Sequence, residues 1–119
     1  MAKDDYHTIV FKVLVYLYAV YKRKIVFEND SFYHATGYKY IHEGCFINTL
    51  YFMKQDGLID DISISRAWGN EYILCSDLSY MTITPQGISY LEENKKMRKI
   101  KDYFMNNVDI ISSLISMIW

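Results

Sequence analysis

Cysteine and proline are scarce in this sequence, which has two cysteines and one proline among its 119 residues. Two cysteines are too few for the disulfide framework of a small secreted domain. One proline and five glycines leave no room for a long flexible linker, so we expect a single domain. A chain of this length can bury one hydrophobic core, and its charged fraction of 23% is typical of a globular protein.

A hydrophobic run long enough to cross a membrane is also missing. Lys12 interrupts the apolar run over residues 9–21, and the apolar tail over residues 108–119 is shorter than the ~20 residues that a bilayer requires. Asp4 and Asp5 stand where a signal peptide would carry positive charge. We therefore expect a cytoplasmic protein with no membrane partner.

Long apolar helices are predicted at both ends of the chain. We predict a helix over residues 4–21, with apolar side chains on nearly every side. Such a helix must be covered on every side by other parts of the protein. Residues 95–118 form the second predicted helix, because apolar side chains recur there at spacings of three and four along one face. These side chains are Met97, Ile100, Phe104, Val108, Ile111, Ile115 and Ile118.

The middle of the chain alternates short helices and strands. We predict a strand over residues 25–27, a helix over 32–36 and a third helix over 40–55. A hairpin follows, with strands at 62–65 and within 71–84, where residues 81–83 are the clearest part. Thr84 and Pro85 then form a strong helix start, a capping threonine before a proline, for a helix over residues 85–94.

Two sequence segments resemble one known family. Gly57-Leu58-Ile59 follows the third helix, and residues 83–94 read Ile-Thr-Pro-Gln-Gly-Ile-Ser-Tyr-Leu-Glu-Glu-Asn. Together with the order of the elements, these segments resemble the YjcQ family of small bacterial and prophage winged-helix proteins. The resemblance implies an α+β fold with a winged helix-turn-helix domain, which we place over residues 1–94. The amphipathic helix over 95–119 follows from its apolar periodicity and is the expected dimerisation element. The resemblance carries no catalytic residue, and winged helices bind either DNA or proteins.

The residues of a DNA-reading surface can be named on the winged-helix pattern. Asn48 and Gln55 would face adenine edges from the third helix, and Lys54 would reach a phosphate. The remaining members of this candidate set of nucleic-acid or partner contacts are Tyr40, Tyr51, Arg66 and Trp68. A hairpin tip is normally polar, so Trp68 either folds back onto the core, which we favour, or anchors a partner.

Charge weakens the DNA interpretation. Residues 28–93 contain three basic and ten acidic residues, a formal charge of −7, whereas phosphate contacts supply most non-specific affinity for DNA. Positive charge is concentrated in two runs outside this span, which would form a phosphate-binding strip if they met on one face beside the wing. The residues of this basic strip are Lys22, Arg23, Lys24, Lys95, Lys96, Arg98 and Lys99.

Surplus apolar surface on the last helix predicts a partner for it. We expect a homodimer through the first and last helices, with Phe104, Val108, Ile111, Ile115 and Ile118 at the interface, because monomers avoid large exposed apolar patches. A hairpin of the two long helices within one chain is the alternative. For function, family analogy favours a regulatory DNA-binding protein of a phage or mobile element that acts as a dimer. The alternative is a protein-interaction module, such as a phage-encoded inhibitor or assembly protein, which the acidic winged-helix face favours.

Catalytic, metal and cofactor motifs are absent from the sequence. His42 and Cys45 stand three residues apart on one predicted helix, but two ligands do not make a metal site. We favour a buried Cys45 that packs as a small hydrophobic residue. With no phosphate loop, nucleophile elbow or paired carboxylates, we expect no enzyme, no cofactor and no small-molecule substrate.

Overall fold

The N-terminal helix α1 (Tyr6–Tyr21) forms the centre of the molecule in the computed structural model, which describes residues 5–107 and 109–119. Every side chain from Thr8 to Ala19 is buried, so the helix is covered on all sides, as its apolar sequence predicts. Each of the other five helices in the described residues packs against it.

The chain leaves α1 and forms two further helices, α2 (Asn29–Thr36) and α3 (Glu43–Gln55). Gly37 ends α2 with a φ of +74°, a left-handed conformation that other residues adopt at a cost. The predictions differ in three places, of which the first is the start of α2, at Asn29 instead of residue 32. Residues 25–27 form no strand, and α3 begins three residues later than predicted because residues 38–40 form a separate 3₁₀ turn and His42 caps the helix.

The described residues include four short strands, which pair in two separate antiparallel ladders. Strands β2 (Ile64–Arg66) and β3 (Tyr72–Leu74) form the predicted hairpin, here called the wing, with Trp68–Asn70 at its tip. The prediction for residues 81–83 was wrong, because β4 (Thr82–Ile83) pairs with β1 (Ile59–Asp60) instead of β2. A 3₁₀ turn over Leu78–Tyr80, capped by the Asp77 carboxylate, takes the chain out of the hairpin before β4.

Helix α4 (Pro85–Glu93) begins at the predicted capping threonine. The Thr84 hydroxyl oxygen accepts a hydrogen bond from the Gly87 amide at 2.9 Å, and Pro85 takes the first helical position. The same hydroxyl donates to the Gly57 carbonyl oxygen, so one side chain joins the start of α4 to the end of α3.

The predicted continuous helix over residues 95–118 was wrong, because the chain folds back between α5 (Lys95–Met105) and α6 (Ile110–Ile118). The Asp109 carboxylate caps α6 by accepting from the Ile111 amide at 3.1 Å. The Ser112 hydroxyl donates to the carbonyl oxygen of Phe104 and holds the two helices together at 2.7 Å. Asn106, Asn107 and Asp109 favour caps and turns over helix interiors, which explains the break.

The architecture is α+β, with the element order of a winged helix and two additional helices. Side chains of α5 and α6 join those of α1, α2 and α3 in one hydrophobic core. Within the part of the chain that the structure describes, no helix combines the length and the apolar character needed to cross a membrane.

Candidate interaction surfaces

The outward side of α3 carries aromatic side chains that the wing partly covers. Tyr51 stacks on Tyr72 of β3, with ring centroids 4.0 Å apart, and its hydroxyl oxygen accepts a hydrogen bond from the Gln55 amide at 2.8 Å. Phe52 is 46% exposed, and its ring lies 6.4 Å from that of Tyr6 at the start of α1. Tyr51 and Gln55 are therefore held by neighbours, whereas Phe52 is open to solvent.

The wing also exposes apolar side chains to solvent. Trp68 at its tip is 97% exposed, so the preferred prediction that it folds back onto the core was wrong. The tip is a tight turn with Gly69 at a φ of +72°, and nothing in the described structure lies within 4 Å of the position that a Gly69 side chain would take. Ile73 of β3 is 54% exposed.

A groove of about 920 Å³ runs between α3 and β3. Its walls include His42, Cys45, Asn48, Phe52, Tyr72 and Leu74. We define the α3–wing face as Asn48, Tyr51, Phe52, Gln55, Trp68 and Tyr72, which lie on α3 and the wing that packs against it.

Three of the predicted contact residues are not part of this face. Tyr40 lies in the 3₁₀ turn before α3 and lines a separate cavity beside α2 and α5. The Lys54 ammonium donates to the carbonyl oxygen of Ile62, so the side chain that was predicted to reach a phosphate holds the chain after β1 instead. Arg66 is exposed at the end of β2.

The two basic runs come together at one end of the molecule. The Tyr18 hydroxyl donates to a Glu92 carboxylate oxygen at 2.8 Å, which joins the last turn of α1 to the end of α4. The Lys22 ammonium donates to the Ile118 carbonyl oxygen at 2.7 Å. We call this region the basic end, and its exposed members are Lys22, Arg23, Lys24, Lys95, Lys96, Arg98 and Lys99.

The basic end does not lie beside the α3–wing face. Phe52 is near Tyr6, the first residue of α1, whereas Lys22 directly follows the last residue of that helix. A helix of 16 residues is about 24 Å long. A strip of positive charge next to the wing, as the sequence suggested, is therefore not formed.

The apolar stripe of the C-terminal helices is covered within the chain. Phe104 stacks on Phe11 of α1 at 5.9 Å between ring centroids, and Ile111, Ile115 and Ile118 are buried in the core. Val108 lies outside the described residues. Because the chain folds back between α5 and α6, both helices pack on α1. This arrangement covers the apolar stripe within one chain, which was the alternative to the predicted dimer contact.

Comparison with known proteins agrees with the sequence resemblance. The family model described as YjcQ protein matches residues 11–109, which is most of the chain. The chain belongs to the YjcQ family. No curated protein and no solved structure matches it significantly. The YjcQ match begins inside α1 and ends just before α6, so it includes both α3 and the wing.

Cysteine and histidine take other roles in this YjcQ-family chain than the sequence suggested. Cys45 and Cys75 are both exposed, so the prediction of a buried Cys45 was wrong; α3 turns this position toward the groove. His42 caps α3, with its Nδ1 accepting from the Gly44 amide at 3.0 Å. Among the described residues, no three His, Cys, Asp or Glu side chains are grouped to hold a metal ion.

Sequence reasoning missed Phe52 and Ile73 as surface residues. Asn48, Phe52 and Gln55 are spaced by four and three residues, so helical periodicity would have placed Phe52 on the outward face. The local sequence gave no sign that Ile73 is exposed. The packing of β3 against α3 decides which side of the strand is covered, and that packing is a long-range contact.

Proposed function

We propose that this YjcQ-family chain is a protein-binding winged-helix module that uses the α3–wing face. The observation that carries the proposal is the pair of apolar side chains exposed there, Phe52 and Trp68. Aromatic side chains at a rigid, accessible position are typical anchors of protein interfaces, and tryptophan is the most enriched among them. Family resemblance adds the expectation that the partner belongs to a bacterial mobile element or to its host.

Charge on this part of the chain supports a protein over DNA. Residues 43–74 contain five acidic and two basic residues. One of the two basic side chains, Lys54, donates to a backbone carbonyl oxygen and is committed to the fold. A duplex at this face would gain little from counterion release, which supplies most non-specific affinity for DNA.

The test is affinity capture from bacterial extract, followed by reconstitution with the identified protein. We expect one partner that binds the purified chain with a measurable Kd by calorimetry. Trp68→Ala should weaken this Kd about 30-fold, the loss typical of an interface hot spot. Tyr21→Ala removes an aromatic side chain that is also exposed but lies at the other end of α1, and it is the matched control. Equal loss in both variants would reject the α3–wing face as the binding surface.

A second candidate function is DNA binding through the basic end, which the meeting of the two basic runs favours. Random duplex DNA, titrated by fluorescence anisotropy at ~50 mM salt, tests it, because a basic strip should bind there and lose affinity steeply with added salt. Glutamine at Lys95, Lys96, Arg98 and Lys99 should abolish this binding, and Trp68→Ala should leave it unchanged. No binding at ~50 mM salt would reject this candidate.

A further inference from the structure

A cavity of about 440 Å³ lies between α1, α2 and the junction of α5 with α6. Side chains from four helices and from the turn after α2 line it. Those used in the following argument are Lys12, His34, Lys39, Tyr40, Tyr103 and Asp109. Its volume falls in the range of small-molecule sites in proteins.

One wall of the cavity contains a buried lysine, Lys12. It is 7% exposed and stands in the middle of α1, with buried apolar residues before and after it. Its ammonium lies 5.2 Å from the centre of the Phe104 ring and 3.7 Å from where a side chain on Gly37 would begin, and both of these residues line the cavity. Burying a lysine is costly, and such residues are found at functional sites far more often than by chance.

The other residues that line the cavity favour an anion that carries a planar group. Lys39 and His34 are exposed at the rim, where they add cationic or hydrogen-bonding groups. Among the described residues that line the cavity, Asp109 is the one carboxylate, and it accepts from the Ile111 amide as the cap of α6. Tyr40 and Tyr103 provide aromatic rings against which a planar group can pack.

We propose that this cavity binds a small organic anion, a carboxylate or a phosphate carried on an aromatic body, with the Lys12 ammonium as its main charged contact. A charge pair in a partly enclosed site is screened less than one at the surface, so Lys12 contributes more there than an exposed lysine would. None of the residues of the α3–wing face lines the cavity, so this proposal does not rest on the proposed function.

The experiment is an amide NMR titration of the full chain with four probes. Phenyl phosphate and benzoate each join an anion to a ring and distinguish phosphate from carboxylate. Inorganic phosphate lacks the ring, and benzyl alcohol lacks the charge. We expect saturable shifts at the amides of Ala35, Gly37 and Phe104 with at least one of the first two probes, at about millimolar concentration. Weaker binding of the other two probes is expected.

Lys12→Met retains the length of the side chain but removes its charge, and we expect at least a tenfold loss of affinity. Lys96→Met, at an exposed position outside the cavity, is the matched control and should leave affinity unchanged. Should Lys12→Met not fold, Lys39→Ala and Tyr103→Ala test the exposed rim, and each should weaken binding at least threefold. The proposal is overturned if no anionic probe saturates, if benzyl alcohol binds as well as benzoate, or if these variants bind like the unchanged protein.

Discussion

At the scale of single residues, Gly87 shows how closely α4 approaches the end of α3. A Cβ atom added there would lie 2.2 Å from the Leu58 carbonyl oxygen and 2.9 Å from a side-chain carbon of Ile83. One of these neighbours is backbone next to β1 and the other belongs to β4, so neither can move without disturbing the pairing of those strands. Glycine at this helical position therefore serves packing, although it costs helix propensity.

Gly87→Ala should destabilise the protein by about 2 kcal/mol, because overpacking at a rigid contact outweighs the gain in helix propensity. Urea unfolding followed by circular dichroism measures this change. Ser89→Ala, at an exposed position of the same helix, should change stability by less than about 0.5 kcal/mol. A Gly87→Ala protein as stable as the unchanged one would show that α4 can shift.

Tyr18, at the basic end, makes the stability of the folded protein depend on pH. Burial, together with the hydrogen bond to Glu92 and the negative charge of that side chain, raises the pKa of Tyr18 to about 12. The unfolded chain loses this proton near pH 10.0, so the folded state holds more protons between these two values. The contribution of Tyr18 to stability is therefore complete below pH 10.0 and is lost as the pH rises toward about 12.

Tyr18→Phe should flatten the fall in unfolding free energy above pH 10.0 and lower stability by about 1 kcal/mol at neutral pH, where the hydrogen bond is lost. Urea midpoints at several pH values measure both effects. The fall should not vanish, because burial also raises the pKa of Tyr6, Tyr33, Tyr38 and Tyr90. Tyr21→Phe, an exposed neighbour, is the control, and an identical slope in the two variants would contradict the assignment to Tyr18.

At the scale of elements, α6 depends on burial for its place in the fold. Its nine residues are too few for a stable isolated helix, and one face packs into the core against α1. Contacts at its end support this position, since Lys22 donates to the Ile118 carbonyl oxygen and the Lys101 ammonium lies 4.2 Å from the centre of the Trp119 ring. Helix α6 is therefore part of the core of one chain.

Ile115→Ala should cost about 3 kcal/mol of unfolding free energy, as expected when a fully buried aliphatic side chain is truncated. Met117→Ala, in the same helix but on its exposed side, should cost less than about 1 kcal/mol. Thermal or urea denaturation of both variants provides the comparison. Similar losses in the two would mean that α6 does not pack on α1 as described.

At the scale of the whole molecule, two different surfaces lie at opposite ends of α1. The α3–wing face exposes apolar side chains and belongs to a part of the chain with more acidic than basic residues, whereas the basic end carries most of the positive charge. The apolar stripe that suggested a homodimer is covered by α1, so the reason for pairing through Phe104, Ile111, Ile115 and Ile118 is weaker than the sequence implied.

We expect light scattering after size exclusion to give the mass of one chain, 14.2 kDa, at micromolar concentration. Burial of Phe104, Ile111, Ile115 and Ile118 within the chain is the reason, since the stripe that would have paired with a second copy is already covered. Twice this mass would show that the protein is a homodimer. The mass of the Phe52→Glu variant, measured in the same way, would then show whether the dimer forms through the α3–wing face. Retention of the doubled mass in that variant would place the interface elsewhere.

Local signals in the sequence were strong enough to predict most elements. The Thr84–Pro85 cap and the wing formed by β2 and β3 both depend on neighbouring residues, and the structure confirms them. The strand partner of residues 82 and 83 was wrong, because ladder pairing is a long-range choice between β1 and β2. Exposure of Ile73 was missed for the same reason, whereas the helical periodicity of α3 was a local signal that could have revealed Phe52.

By itself the sequence determined the family, the α+β class and a central helix that must be covered on all sides, because periodicity, caps and composition act over a few residues. Tertiary structure decided what covers that helix and which side chains remain outside. The fold-back of α6 turned a predicted dimer contact into core, and the crossing of the helices separated the basic end from the wing. These outcomes depend on contacts between segments far apart in the chain, which local sequence patterns do not encode.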